Sequence, residues 1–196
     1  MSCIYCNHYI LYKTKEGYFK CAKCKRKFSP KKIERKAKIL KGFLDELTPK
    51  EISKKYNISY GVVVKEIKKI RKLMALICEE EFLKKESINS FQEYIYIPKT
   101  LKKDKNSLYK AQNFLTIDYG KIYNILLTSL KHYKNLPPDE IKSMLRQSKI
   151  IKFQNQALIY QFWDYFEEFI KKFKGVKDEE FFYYLKEAEF RFNNFK

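Results

Sequence analysis

At 196 residues, with 45% hydrophobic and 17% aromatic side chains, the chain is long enough for one ordinary domain plus one or two small modules. Five glycines and five prolines exclude a collagen-like or Pro/Gly-rich disordered chain, and no apolar run approaches the roughly 20 residues that a bilayer requires. The formal charge of +19 is unevenly spread: residues 1–78 hold 21 Lys and Arg against 6 Asp and Glu, and residues 79–196 hold 21 against 17. A Lys-rich composition of the kind an A+T-rich genome imposes accounts for the total but not the asymmetry, and a basic head suits a polyanionic partner.

The chain opens on Cys3-Ile4-Tyr5-Cys6, answered after fourteen residues by Cys21-Ala22-Lys23-Cys24. Two residues between ligands let one tight turn aim both sulfurs at one metal, so paired Cys-x-x-Cys units predict a closed tetrahedral zinc site between two knuckles. Such a site is structural, because four thiolates leave no open position for chemistry. Disulfides are the alternative; a Lys-rich chain with no signal-peptide pattern before Cys3 points instead to a reducing, cytoplasmic setting. Between the knuckles, residues 9–12 and 17–20 alternate as two short strands, and residues 1–28 read as a zinc ribbon. His8 is expected at the surface beside the metal, with replacement of a thiolate as its alternative.

Ser29-Pro30 predicts a helix start, and Ile33, Ala37, Leu40, Phe43 and Leu44 recur at helical spacing after it. Thr48 and Glu51 form a capping-box pattern around Pro49, opening a short helix through Ile52 and Tyr56. Asn57-Ile58-Ser59 reads as a turn, followed by a helix carrying Val62, Val63, Ile67, Ile70 and Leu73. A short capped helix, a three-residue turn and a longer helix form the helix-turn-helix pattern. In that pattern Ser59, Tyr60, Gly61, Val64 and Lys65 lie toward a major groove. Lys54, Lys55, Lys68, Lys69, Arg71 and Lys72 serve phosphates, and Lys25, Arg26 and Lys27 add a basic stretch. The alternative is a plain three-helix bundle with solvated lysines. Cys78 reads as a small buried hydrophobe in preference to a nucleophile, since neither histidine lies nearby in sequence. Residues 29–88 are taken as one module with a helical linker, ending near residue 88 where the composition shifts.

Residues 91–97 alternate as a strand that stops at Pro98, and a lysine-rich loop fills 99–110. Two further strands, 111–117 and 121–127, flank Asp118-Tyr119-Gly120, a hairpin signature. Leu136-Pro137-Pro138-Asp139 predicts a turn capping a helix through Ile141, Met144 and Leu145. Residues 156–173 and a stretch after Gly175 that Asp178 caps read as two long helices whose aromatic residues recur at core spacing.

The order of ribbon, helix-turn-helix, strand hairpin and aromatic helix resembles bacterial insertion-sequence transposases that carry an N-terminal zinc ribbon and a ribonuclease-H-like catalytic domain. The run Tyr184-Leu185-Lys186-Glu187-Ala188-Glu189-Phe190-Arg191-Phe192-Asn193 is similar to that family's closing YLxExxFRxN helix. Phe162-Trp163 resembles its IExFW segment, and the cysteine pairs leading to Phe28-Ser29 match at the other end. The resemblance implies an α+β multidomain chain: a zinc ribbon (1–28), a helix-turn-helix module (29–88) and a shortened ribonuclease-H-like body (89–196). It implies double-stranded DNA as partner, no membrane, a nucleoid-associated location, and leaves homodimerisation open.

That family cuts and joins DNA with three acids holding two divalent ions. Here Gln92 stands at the first acid and Tyr160 at the third, and neither supplies the anionic oxygen that Mg²⁺ or Mn²⁺ requires. Glu93, Asp118 and Asp164 form the candidate substitute cluster. The expectation is therefore a transposase-like DNA-binding protein with structural Zn²⁺ and no catalytic residues. The alternatives are an active transposase using displaced acids with Mg²⁺ or Mn²⁺, and a zinc-ribbon helix-turn-helix transcription regulator.

Overall fold

The computed structural model of the chain describes residues 1–97, 107–128, 130–133, 135–137, 139, 140, 143, 157–173 and 175–195. Among them, five α-helices and two three-stranded antiparallel sheets give an α+β architecture in two units, Met1–Ile70 and Arg71–Lys196. No helix among the described residues is long and apolar enough to cross a membrane.

In the first unit, strands β1 (Leu11–Lys13), β2 (Phe19–Cys21) and β3 (Lys27–Phe28) pair in that order. The β1–β2 turn closes through Gly17, whose φ of 79° requires a residue without Cβ strain. The sequence predicts two strands here; the third, β3, is two residues long and too short to show a period.

Helix α1 (Pro30–Leu44) starts where Ser29 accepts from the Lys32 N–H. Helix α2 (Pro49–Tyr56) carries the predicted capping box: the Thr48 N–H donates to Glu51 at 2.7 Å and the Glu51 N–H donates to Thr48 Oγ1 at 3.4 Å. Asn57 ends α2 at φ 50°, ψ 51°, a left-handed geometry that asparagine tolerates. The Ser59 carbonyl then accepts from Val62 and Val63, opening α3 (Tyr60–Leu83). The predicted order of short helix, three-residue turn and long helix is present.

Gly42 sets the approach of α1 to α2. A Cβ there would lie 2.8 Å from Ile52 Cγ1 and 3.1 Å from Tyr56 Cε2, and Ile52 is fully buried. Gly42→Ala should gain about 1 kcal/mol of helix propensity yet lose about 1–3 kcal/mol to overpacking. The expected net is a lower denaturation midpoint in chemical unfolding. A raised midpoint would mean that the two helices separate freely at this point.

In the second unit, β4 (Ser90–Tyr96), β5 (Gln112–Asp118) and β6 (Ile122–Leu126) form an antiparallel meander, with Gln92 opposite Thr116 and Thr116 opposite Asn124. The β5–β6 turn uses Gly120 at φ 91°, with the Gly120 N–H donating to Asp118 Oδ1 at 2.8 Å. Helices α4 (Ala157–Lys171) and α5 (Asp178–Phe195) cover the sheet. Phe114, Ile122, Ile159, Phe162, Phe166 and Leu185 form the fully buried centre of that core. Asp178 is the first residue of α5, not its cap: the N–H groups of Glu180 and Phe181 donate to the Lys177 carbonyl.

The units divide after Ile70, within α3, whereas the composition shift points to residue 88. The cause is the second half of α3. Phe82 stacks on Tyr123 at 3.8 Å, Tyr123 donates to Glu79, and Lys121 pairs with Glu81 at 2.9 Å. These contacts tie residues 71–83 to the β5–β6 hairpin, so what reads as a linker belongs to the second core. Of the predicted loop at 99–110, residues 99–106 lie outside the described residues and Ser107–Lys110 form a 3-10 turn; Ile141, Met144 and Leu145 of the predicted helix also lie outside the described residues. The described residues of the second unit hold three antiparallel strands and no parallel one.

Candidate metal centre and basic surfaces

Each cysteine pair sits on the same backbone device. The Cys3 N–H donates to the His8 carbonyl at 2.8 Å while the Asn7 N–H donates back to the Cys3 carbonyl at 2.9 Å. Eighteen residues on, the Cys21 N–H donates to the Arg26 carbonyl at 3.0 Å and the Lys25 N–H to the Cys21 carbonyl at 3.1 Å. Asn7 and Lys25 take φ of 54° and 59°, the left-handed step that closes each turn. The two knuckles are thus repeats of one structure, set by the Cys-x-x-Cys-x spacing and not by shared neighbouring residues. His8 contributes its carbonyl to a knuckle, and its ring lies 5.1 Å from that of Tyr9.

The four Sγ atoms lie within 4.8 Å of one another, with Cys3–Cys24 and Cys6–Cys21 each at 3.6 Å. Disulfide sulfurs sit about 2.05 Å apart, so these are four separate thiols. A tetrahedral cation with metal–sulfur bonds of about 2.3 Å spans edges of about 3.8 Å, which fits this spacing. Cys3 and Cys21 are fully buried, and Phe28 and Ile33 pack against the cluster. Without a cation the thiols compete for protons. Burial works against ionising Cys21, but N–H groups of Cys24 and Lys23 and the Cys6 and Cys24 thiols donate to it, leaving it lowered to about 6. Cys24 moves the other way, to about 11: the Arg26 N–H lowers it, while burial and its three cysteine neighbours raise it more. A bound dication supplies the charge that lets all four ionise together. The arrangement can hold a metal ion.

The predicted DNA-contact residues fall into two groups. Lys25, Arg26 and Lys27 are exposed, as are Lys54, Lys55, Ser59, Tyr60, Lys65, Lys68, Lys69 and Lys72. Tyr60 and Val64 are 57% and 38% exposed on the first turns of α3, beside buried Val63 and Ile67, so an accessible strip with Lys65 and Lys68 runs along the start of the helix. Lys69 lies 2.8 Å from Glu66, and Lys55 lies 3.8 Å from Asp45.

Arg71 departs from its predicted phosphate role. It is 7% exposed, its Nε donates to Glu187 Oε2 at 2.6 Å, and its guanidinium lies 3.6 Å from the Tyr184 ring centroid. Helical spacing groups it with Lys68 and Lys72 in sequence, but the α3 face that carries it is turned into the second core.

The described residues do not assemble the substitute acids. Asp118 accepts from Gly120 and Asn89 as a turn residue, and Asp164 is exposed on α4. Glu93 stands opposite Leu115, the strand position next to Gln92 and so on the other face of the sheet. Among the described residues, the cysteine quartet is the only group of three or more potential ligands close enough to share a metal. Gln92 sits in a polar row with Thr116 and Asn124, where Thr116 Oγ1 donates to Asn124 at 2.8 Å and accepts from Trp163 Nε1 at 2.9 Å. Tyr160 is 49% exposed, with its ring 5.3 Å from that of Trp163.

A buried charge network in α5 goes unseen in the aromatic reading of that helix. Glu187 bridges Arg71 and Arg191, the latter at 2.9 Å, and Lys186 lies 3.0 Å from Glu189, all at most 7% exposed. Burial pushes the Glu189 carboxyl up, against the pull of Lys186 and Asn124. The same helix covers the open edge of β6: Glu189 accepts from the Asn124 N–H, and Asn193 bonds both the N–H and the carbonyl of Ile122. Capping a sheet edge with side chains blocks pairing with another chain. The interleaved Lys, Glu, Glu and Arg at apolar-spaced positions of 184–193 are the signal that points to this.

Comparison of the chain with protein-family models, with curated proteins and with solved structures finds no match.

Proposed function

We propose that the chain is a transposase-derived protein that binds double-stranded DNA through its first unit and does not cleave it. The observation that carries this reading is the accessible face of Tyr60, Val64, Lys65 and Lys68 on α3, behind a capped short helix and a three-residue turn. It stands in a unit with 19 Lys and Arg against 6 Asp and Glu. A helix presented in this way fits a major groove, with Lys54, Lys55 and Lys69 beside it for phosphates. The four-cysteine module is the structural zinc ribbon that holds the start of α1, as four thiolates at tetrahedral spacing favour Zn²⁺. The antiparallel meander covered by aromatic helices supports reading the second unit as a shortened ribonuclease-H-like body. Gln92 and Tyr160 at the expected acid positions support a body without strand-cutting chemistry, so no Mg²⁺ or Mn²⁺ is assigned to it.

Fluorescence anisotropy with a labelled duplex tests the DNA reading. Six or more phosphate contacts should weaken binding by about a thousandfold or more between 50 and 200 mM salt. Lys65→Gln with Lys68→Gln should lower the slope of log affinity against log salt by about 2. A flat salt dependence would remove the case for a basic DNA-binding head.

A further inference from the structure

Between the four-cysteine module and the first turns of α1, the first unit carries a cleft of about 490 Å³. Phe28 and Ile33 line it and also pack against the cysteine cluster, so its walls are fixed to the metal centre. Five cations and no acid line the cleft, with Lys31, Lys32 and Arg35 exposed along α1. Tyr5 and Tyr18, 48% and 42% exposed, form its aromatic side. Arg26 lies 5.1 Å over the Tyr5 ring, and Phe28 meets that ring edge-on at 6.3 Å, so the ring is held in place.

Cations alone suit any phosphate backbone. Accessible rings set among cations suit something narrower, because a base stacks on a tyrosine only when it is unpaired. A duplex keeps its bases inside and would engage the lysines while leaving the rings idle. We propose that this cleft binds one unpaired strand of nucleic acid, with phosphates on Lys31, Lys32 and Arg35 and a base stacked on Tyr5 or Tyr18. The proposal rests on the nucleic-acid reading of the first unit and adds a second site, apart from the exposed face of α3. A protein with both would hold a duplex where it is locally opened or ends in a single strand.

The test uses the full chain with its metal, an oligodeoxynucleotide of about 12 nucleotides, matched to the site sizes of such grooves, and a blunt duplex, both read by anisotropy at one salt concentration. Tyr18→Leu should weaken single-strand binding by roughly fivefold to a hundredfold, the range of one lost stacking contact, with duplex affinity unchanged. Tyr18→Phe keeps the ring and should keep the affinity. Lys31→Gln with Arg35→Gln should also weaken the single strand and flatten its salt dependence. Equal losses for strand and duplex in Tyr18→Leu, or no loss for the strand, would overturn the proposal. Ring-dependent strand binding without duplex binding would sink the α3 reading and leave the cleft standing. Duplex binding sensitive to Lys65 and Lys68, with ring-independent strand binding, would do the reverse.

Discussion

Cys21→Ala should empty the metal centre and unfold residues 1–28. Cys21 is fully buried, forms one corner of the sulfur tetrahedron, and its backbone closes the second knuckle through Arg26 and Lys25. Three thiolates leave the cation with an open position and the knuckles with one fewer tie. Structural zinc sites in small modules contribute on the order of 10–16 kcal/mol of apparent folding free energy, and three short strands of three, three and two residues cannot replace that. Phe28 and Ile33 pack on the cluster, so the start of α1 should fray with it. Metal content by mass spectrometry of the native protein should fall from one ion per chain to none, and DNA affinity should fall with it. Cys78→Ala is the control: this thiol is buried in the second unit, with its Sγ 3.9 Å from the Lys186 carbonyl, and burial pushes it well above the usual thiol range. Metal content should be unchanged there. Full metal content and full DNA affinity in Cys21→Ala would contradict the assignment of the quartet.

Glu187→Ala should strongly destabilise the second unit. The carboxylate accepts from Arg71 at 2.6 Å and from Arg191 at 2.9 Å, and all three side chains are buried. Its removal takes one shared carboxylate away from two buried guanidinium groups. Breaking a buried ion pair from one side costs about 3–5 kcal/mol, and here one carboxylate serves two cations. Against a typical domain stability of about 5–15 kcal/mol, that is enough to unfold a marginal unit. Glu168→Ala is the matched control. Its i,i+3 pair with Lys171 is solvent-exposed, and exposed pairs contribute about 0–1 kcal/mol. Chemical denaturation should show a large drop in midpoint for the first variant and a negligible one for the second. Equal small shifts would mean that the network is hydrated and structurally idle.

The parts of the fold legible in the sequence are those governed by local chemistry. The Thr48–Glu51 box, the Asn57 turn, the Ser29 cap and the Asp118–Gly120 hairpin each depend on residues within a few positions, and each is present. The cysteine quartet is legible for the same reason, since spacing within each pair fixes the knuckle. What escaped the sequence depends on contacts between distant segments. Arg71 looks like its lysine neighbours until Glu187, 116 positions away, is placed beside it. The unit boundary moves into α3 because Glu79, Glu81 and Phe82 find the β5–β6 hairpin, a long-range choice that composition does not record. The aromatic spacing of α5 is correctly apolar at Phe181, Leu185 and Ala188, yet charged residues between them are buried as well. Periodicity marks one face of a helix, and α5 is buried on more than one.

Selection of genomic fragments by the purified protein, with Mn²⁺ present and both retained and cut DNA sequenced, tests the central claim most directly. Retention of discrete duplex sites with uncut ends is the result that the proposed function predicts. Retention of inverted repeats with cleaved ends, or retention with no preference over bulk DNA, would contradict it.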